Sequence, residues 1–355
     1  MPRNPIPILV LRGRPFERGG RHGEAFAAEI QRALGRSKDT SSRKAYEAAR
    51  GRAAHSWPLL EECAPEIAME VQGLAEGSSS DVTDLYLRIG FEFFVDAAPT
   101  GCSGIAIAGP NGAVIGQNWD APPEDAVDLA LVLHAGEAGV ETAMVASVGT
   151  LGWVGCNRSG LALSTNDLIL DAIPCGLPSQ VVRRLALDQA SVPAAIGALR
   201  SLPNMGGRCY LLGDAAGAIA GVEISPSVGV SAMAATSPIL HTNHARLPET
   251  AVVEDEARLQ AVYPSSRSRL AALERLADGA RTVADVMAVL RNRDGAPNAI
   301  SKTPSKEEKT ETAFSIVFDC AAAEIHLCAG PPSTGVYQTV RLSDPERRVE
   351  PPPRP

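Results

Sequence analysis

Hydrophobic periodicity changes character once along this chain, at the breaker Asp96-Ala97-Ala98-Pro99-Thr100-Gly101, and that change limits the folds open to it. Before the breaker, Phe26, Ile30 and Leu34 recur at helical spacing, as do Leu59, Cys63, Ile67 and Val71. Residues 6–11 read as a first strand. Asp81, with Asp84 three residues on, has the form of an N-cap with an approximate capping box, opening a helix over 85–94. After the breaker, short apolar runs alternate with turn residues. Runs at 105–108 and 113–119 flank Gly109-Pro110-Asn111-Gly112, a hairpin-type turn, and 127–134, 142–148, 153–156 and 160–166 continue as strands. Hairpins imply antiparallel pairing. Helices resume at 179–189 and 193–199, where Ser191 suits a cap and Pro193 a first turn. Strands return at 208–212, 218–224 and 228–234, with a short one ending near His241; helices over 264–276 and 282–290 precede closing strands at 314–319 and 324–328. Helices in blocks around hairpin runs predict an α+β fold of stacked antiparallel sheets with helices outside. No βαβ alternation and no internal repeat is visible.

Composition narrows the function. With 45% apolar and 21% charged residues over 355 positions, the chain has the profile of a globular protein large enough to bury a catalytic site. A net charge of −8 offers no general attraction to nucleic acid or anionic membranes, which leaves small molecules as the expected partners. The short apolar run at the N-terminus lacks a signal-peptide cleavage pattern, so a cytoplasmic location is expected. Seven cysteines without paired short spacings suggest neither a disulfide framework nor a metal knuckle. Phosphate-cradling glycine loops and Gly-x-Ser-x-Gly are absent, and no cofactor is expected. The stretch 301–312 and the Pro-rich tail 346–355 read as mobile.

Cys102 follows Gly101 at the head of the first hairpin strand. Most cysteines are small buried apolar residues, but one placed here becomes an N-terminus if the chain cuts itself at Gly101–Cys102. Glycine before it tolerates a strained backbone. The thiol would attack the Gly101 carbonyl and water would hydrolyse the thioester, freeing an α-amine with a pKa of about 8. Such an amine is a usable base for its own thiol, whereas an amide nitrogen is not. Asp120, eighteen positions on, comes back across the hairpin to hold that amine, or else is a solvent-facing strand end. In His241-Thr242-Asn243-His244 the Asn243 amide is a candidate oxyanion donor. The two histidines have no third regularly spaced ligand, so no metal is expected. Asn166 is a second candidate donor, or a turn residue; Asn118 is a weaker supporting candidate, and Trp119 packs.

Taken together, Gly13-x-Pro-Phe-Glu-Arg-Gly with His22-Gly23, the stretch 70–77, Gly101-Cys102, Gly116-Gln117-Asn118-Trp119-Asp120, 149–157 with Ser159-Gly160, Gly221-Val222-Glu223-Ile224-Ser225-Pro226, His241-Thr242-Asn243-His244 and the strand 314–319 form an ordered set. That set resembles the acyl-coenzyme A:6-aminopenicillanic acid acyltransferase family of N-terminal-nucleophile hydrolases. The resemblance implies a four-layer αββα sandwich, self-cleavage at Gly101–Cys102, Cys102 as nucleophile, Asp120 as catalytic aspartate and Asn243 as oxyanion asparagine. Residues 1–101 would then be an α subunit and 102–345 a β subunit that carries most of the sheet. His244 is a further supporting candidate. The Ser-Arg pair of the fungal penicillin-pathway enzyme is missing: the nearest positions here are Glu308 and Lys309, and Lys309 is the candidate for the missing charge. The expected function is a self-processing cysteine amidohydrolase or acyltransferase acting on an N-acyl or peptide-like amide. The alternatives are an acyl-CoA-dependent N-acyltransferase of secondary metabolism and a non-catalytic relative that binds small molecules.

Overall fold

A computed structural model describes residues 4–94, 101–124, 126–233, 237–306 and 308–349, without the side chains of 40 and 346–349. Most of the breaker therefore lies outside the described residues, as do positions 350–355 of the expected tail. The N-terminal part is β1 (Ile8–Arg12) followed by α1 (Pro15–Ala25), α2 (Ala27–Thr40), α3 (Arg43–Cys63), α4 (Pro65–Gly77), α5 (Val82–Ile89) and α6 (Phe91–Phe94). Glycines set its tightest contact. A Cβ on Gly19 would lie 1.9 Å from the Glu70 carbonyl oxygen, and one on Gly73 would lie 2.0 Å from that of Phe16, so α1 and α4 approach more closely than side chains permit.

Asp81 caps α5 through the amides of Thr83 and Asp84, at 2.9 and 3.1 Å. The capping box does not form, because the Asp84 carboxylate instead takes Arg50 at 2.9 Å and Lys38 at 2.8 Å. The single helix expected over 85–94 is two: Gly90 ends α5, and a Cβ there would strike the Phe94 ring at 2.3 Å.

From Gly101 onward the chain builds two sheets. One runs β1-β4-β5-β6-β7-β8-β9-β10, with β4 (Leu129–Gly136), β5 (Gly139–Ser147), β6 (Val154–Asn157), β7 (Ala162–Ala172), β8 (Gly206–Gly213), β9 (Ile219–Ser225) and β10 (Gly229–Ala232). The other runs β11-β2-β3-β12-β13-β14-β15, with β2 (Gly101–Ala108), β3 (Ala113–Ala121), β11 (Ile239–His241), β12 (Glu311–Asp319), β13 (Glu324–Ala329), β14 (Gln338–Arg341) and β15 (Asp344–Val349). Pairing between the strands is antiparallel except at β1, which lies parallel to β4, since the helices between them form a crossover rather than a hairpin.

Four layers result. Cys102, Ala106, Trp119 and Phe314 pack between the sheets against Val145, Trp153 and Leu211. Ile105 and Ile107, on the opposite face of β2, meet Leu273 of α11 (Ser266–Leu276) and Val286 and Leu290 of α12 (Val283–Leu290). On the outer face of the other sheet, Leu163 and Val222 join Val181 of α7 (Ser179–Leu187), Leu199 of α8 (Val192–Ser201) and residues of α3 and α4. Short helices α9 (Pro248–Ala251) and α10 (Glu256–Val262), which periodicity did not reveal, precede α11. Gln117 ties the sheets together, donating to the Thr165 carbonyl at 2.5 Å and accepting from its amide at 2.8 Å.

Three other expectations need correction. Ser191 does not cap α8; the Asp214 carboxylate accepts from the Val192 amide at 3.0 Å instead. In the expected mobile stretch 301–312, Ser301, Lys302, Thr310, Glu311 and Thr312 are buried, because this segment lies against β3 and leads into β12. The tail starts later than expected, as β15 continues to Val349.

Candidate active site

Strand alternation determines what Cys102 and its neighbours see. In the β2–β3 register Gly101 opposes Asp120 and Cys102 opposes Trp119. Successive side chains leave a strand on opposite faces, so the thiol lies with Trp119 between the sheets, and Asp120 lies with Gly101 toward α11 and α12. Asp120 therefore addresses the peptide bond before Cys102 from the face opposite the thiol. A Cβ on Gly101 would sit 3.2 Å from Asp120 Oδ2 and 3.7 Å from an Arg269 guanidinium nitrogen. Room for these groups explains the glycine here. Its backbone is ordinary strand with no positive φ, which corrects the expectation of strain.

Asn243 arrives from β11. Glu223 on β9 holds the turn after that strand: His241 Nε2 lies 2.9 Å from its carboxylate, which also accepts from the Arg246 amide at 2.7 Å, the Leu247 amide at 3.2 Å and the Thr250 hydroxyl. Ser266, at the start of α11, accepts from the Asn243 amide at 2.8 Å. Thus placed, Asn243 Oδ1 accepts from the Cys102 amide at 3.0 Å, and its Nδ2 donates to the Asp167 carbonyl at 3.2 Å. The orientation differs from the expected oxyanion donor, since oxygen rather than NH2 faces the Cys102 nitrogen.

Two cations that sequence reasoning missed complete the surroundings. Arg269 on α11 donates to the Cys102 carbonyl, to Ser103 Oγ at 2.9 Å and to Asn243 Oδ1 at 2.7 Å. Its signal was legible in retrospect, because Ser265, Arg269 and Leu273 recur every four residues and put a guanidinium in the buried register of a helix. Lys302 lies 4.0 Å from Asp120 Oδ2, held by Glu308 at 2.7 Å and Thr310 at 3.3 Å. Lys309, the residue expected to supply this charge, is instead an exposed-loop side chain donating to the Lys306 carbonyl at 2.8 Å. Asp120 Oδ1 accepts from Thr312 at 2.8 Å, while the fully buried Oδ2 has no hydrogen-bond partner among the described residues.

Of the weaker candidates, Asn118 anchors β3 by donating to the carbonyls of Leu290 and Ile300, both at 2.9 Å. Asn166 faces β2 from the other sheet; its Oδ1 would touch a Cβ on Gly104 at 2.9 Å, and its Nδ2 reaches the His241 carbonyl only at 3.5 Å. His244 turns to Ser266 at 2.8 Å and Thr242 at 3.3 Å, away from the Cys102 amide. Burial and the neighbouring His241 and arginines push its pKa down to about 4.

Burial dominates the electrostatics of Cys102 and Asp120. Burial, aided by Asp120 and opposed by Arg269, pushes the Cys102 thiol up to about 12. Burial likewise raises the Asp120 carboxyl, against the pull of Lys302 and Arg269. A protonated thiol is a poor nucleophile.

The model of the acyl-coenzyme A:6-aminopenicillanic acid acyl-transferase family matches residues 107–334. The chain belongs to this family. That match spans Asp120 and Asn243 and begins just after Cys102. The chain is 29% identical over 351 residues to the acyl-coenzyme A:6-aminopenicillanic-acid-acyltransferase 40 kDa form of Emericella nidulans, covering 92% of this chain and 93% of that protein. Among solved structures it is similar to penicillin V acylase from Agrobacterium tumefaciens, with 14% identity, a TM-score of 0.42, and coverage of 68% of this chain and 86% of that one. It is also similar to a conjugated bile acid hydrolase from Clostridium perfringens, with 10% identity, a TM-score of 0.41, and coverage of 71% and 97%. Membership of the acyl-transferase family makes the chain an enzyme of the amide-hydrolase and acyltransferase class, working through a cysteine nucleophile of the N-terminal kind. Its layers are the αββα sandwich. Among the described residues no helix is long and apolar enough to cross a membrane, and no three His, Cys, Asp or Glu side chains converge as metal ligands.

Proposed function

We propose that this chain cuts itself between Gly101 and Cys102 and then uses Cys102 as an N-terminal nucleophile on an N-acyl or peptide-like amide. The observation that carries this reading is the pair of acceptors flanking the Gly101–Cys102 bond. Asn243 Oδ1 already holds the Cys102 amide, and the unpartnered Asp120 Oδ2 lies beside Gly101 in a buried site. A buried carboxylate oxygen without a donor is costly, and an ammonium formed at Cys102 would satisfy it.

In the first stage Sγ bonds to the Gly101 carbonyl carbon, the carbon–nitrogen bond breaks, and the thiol proton leaves on the nitrogen. Water then hydrolyses the thioester, giving a Gly101 carboxylate and a free thiol. In the second stage the amine takes the thiol proton, Sγ attacks the substrate carbonyl, and the substrate amine departs with that proton. Water then releases the acyl group. Asp120 and Asn243 orient the amine, while Arg269 and Lys302 hold those two side chains in place. The fragments of 101 and 254 residues remain together as α and β subunits, since β1 of the first pairs with β4 of the second.

Intact mass of purified protein tests the first stage: two pieces for wild type and one chain for Cys102→Ala. An uncut wild type whose Cys102 is not preferentially labelled by a thiol reagent overturns the proposal. The named activity of the Emericella nidulans relative involves acyl-CoA, so turnover of acyl-CoA with a free amine, set against plain amide hydrolysis, decides whether water or an amine accepts the acyl group. We take water as the acceptor.

A further inference from the structure

Just before the proposed cleavage site, α6 sets Phe91 against the layer between the sheets while Phe93 and Phe94 pack in the outer cluster, and the contacts of Phe91 and Glu92 have the chemistry of a ligand. Phe91 packs edge-on against Trp153 at 5.7 Å; Trp153 stacks on Trp119 at 5.1 Å, and Trp119 is the cross-strand partner of Cys102. Glu92 Oε2 lies 2.8 Å from a guanidinium nitrogen of Arg208 and 3.4 Å from one of Arg183. Both arginine side chains are at least nine-tenths buried, at 4% and 0% exposure. They are rigidly built: Arg183 donates to the Trp153 carbonyl at 2.7 Å and the Ser179 carbonyl at 3.0 Å, and Arg208 donates to Ser179 Oγ at 3.2 Å and pairs with Asp167. The Asp167 carbonyl is the group that holds Asn243 Nδ2, which connects this cationic site to the nucleophile's surroundings.

We propose that Arg183 and Arg208 are the carboxylate subsite of the mature enzyme, and that Phe91-Glu92 fills in the uncut chain the places of the substrate's apolar acyl group and its carboxylate. The proposal rests on Cys102 being the nucleophile. Cleavage leaves α6 seven to ten residues from a free end at Gly101, so Phe91 and Glu92 are freed to withdraw. Among the described residues Arg208 then keeps Asp167 while Arg183 keeps no carboxylate, and the pair needs a new anion. The bidentate geometry of arginine suits a carboxylate. The substrate class is an N-acyl amino acid: an apolar acyl group on the tryptophan side, the amide at Cys102, and a carboxylate on the arginines.

The probes are N-benzoylglycine and its uncharged counterpart N-benzoylglycinamide. In cut wild-type protein the KM for the acid is at least tenfold below that for the amide, and Arg208→Gln removes this preference by raising the KM for the acid alone. Calorimetry supplies an arm independent of turnover. Uncut Cys102→Ala does not bind N-benzoylglycine, Cys102→Ala with Phe91→Ala and Glu92→Ala binds it, and adding Arg208→Gln abolishes the binding. Equal KM values for acid and amide, or no binding to the chain with α6 truncated, overturn the proposal. A wild-type chain that stays uncut overturns the reading of Cys102 instead, and the calorimetric arm still decides the subsite.

Discussion

Two buried ionic networks lie on opposite sides of the molecule, and they are finished to different degrees. Beneath the β1–β10 sheet, Glu70 receives two hydrogen bonds from Arg184 at 3.1 and 3.0 Å, with His134 at 3.4 Å and Arg18 at 4.0 Å. Arg184, with His134, holds the Glu70 carboxyl well below the usual range despite its burial. Around Gly101 and Cys102 a buried carboxylate again lies near two basic side chains, here an arginine and a lysine, but Arg269 spends its donors on Cys102, Ser103 and Asn243, and Lys302 stands 4.0 Å off. Asp120 keeps an unmatched oxygen and its carboxyl is raised. Networks that serve the fold close on themselves. One left open has room for a charge yet to appear, and in the proposed reaction that charge is the amine of Cys102.

The contrast breaks most sharply at Glu70. Glu70→Gln strands Arg184 in a buried site, so unfolding free energy in urea should fall by about 3 to 5 kcal/mol, while the folded fraction still cuts itself at the wild-type rate. Next comes pH, acting on the same closed region. His22, buried and accepting from the Gly149 amide at 3.2 Å, has its pKa pushed down to about 4 by burial. Its folded value lies below the unfolded value near 6.5, so protons favour the unfolded chain between the two. The stabilisation is therefore full above 6.5 and drains as pH falls toward 4, by on the order of 3 kcal/mol. Thermal melts from pH 7 to 4 should show this loss, and His22→Gln should flatten it.

At the open network the order of effects reverses. Asp120→Asn removes the charged partner of the amine, so turnover should drop by roughly tenfold to a hundredfold, the value of one hydrogen bond to a charged group. Stability should hold or rise, because a desolvated carboxyl is replaced by a neutral amide. A variant that loses stability without losing turnover would show that Asp120 belongs to the fold, as Glu70 does.

Much of this was legible before any coordinates. The layered α+β plan followed from one switch of periodicity, and the register that sets Asp120 against Gly101 follows from a hairpin turn at 109–112. What sequence could not convey was reach across distant segments. Arg269 sits 167 residues from Cys102, and Lys302 comes from a stretch whose Lys, Glu, Thr and Pro content reads as solvated. Lys302 rather than Lys309 lies near Asp120, and a loop without periodicity offers no register that separates the two. Asn243 is a sequence candidate, but the direction of its side-chain amide depends on Arg269 and Asp167, which no local pattern links to it.

The smallest effect separates the networks by a single methyl group. At Gly19 an added Cβ meets the Glu70 carbonyl oxygen at 1.9 Å, a backbone atom of a packed helix that cannot yield, so Gly19→Ala should fold poorly. At Gly101 the added Cβ meets the Asp120 side chain at 3.2 Å, which gives by a few tenths of an ångström. Crowding at this lower end costs about 1 kcal/mol, or several-fold in rate, and it falls on the step in which residue 101 takes part. Gly101→Ala should therefore slow the appearance of the two fragments several-fold on a time course of intact mass, with melting lowered by no more than about 2 to 4 °C. Once cut, residue 101 ends the α fragment and takes no part in the chemistry, so turnover per mature molecule should match wild type. Equal loss in maturation and turnover would mean that the displaced Asp120 never recovers its place beside the amine.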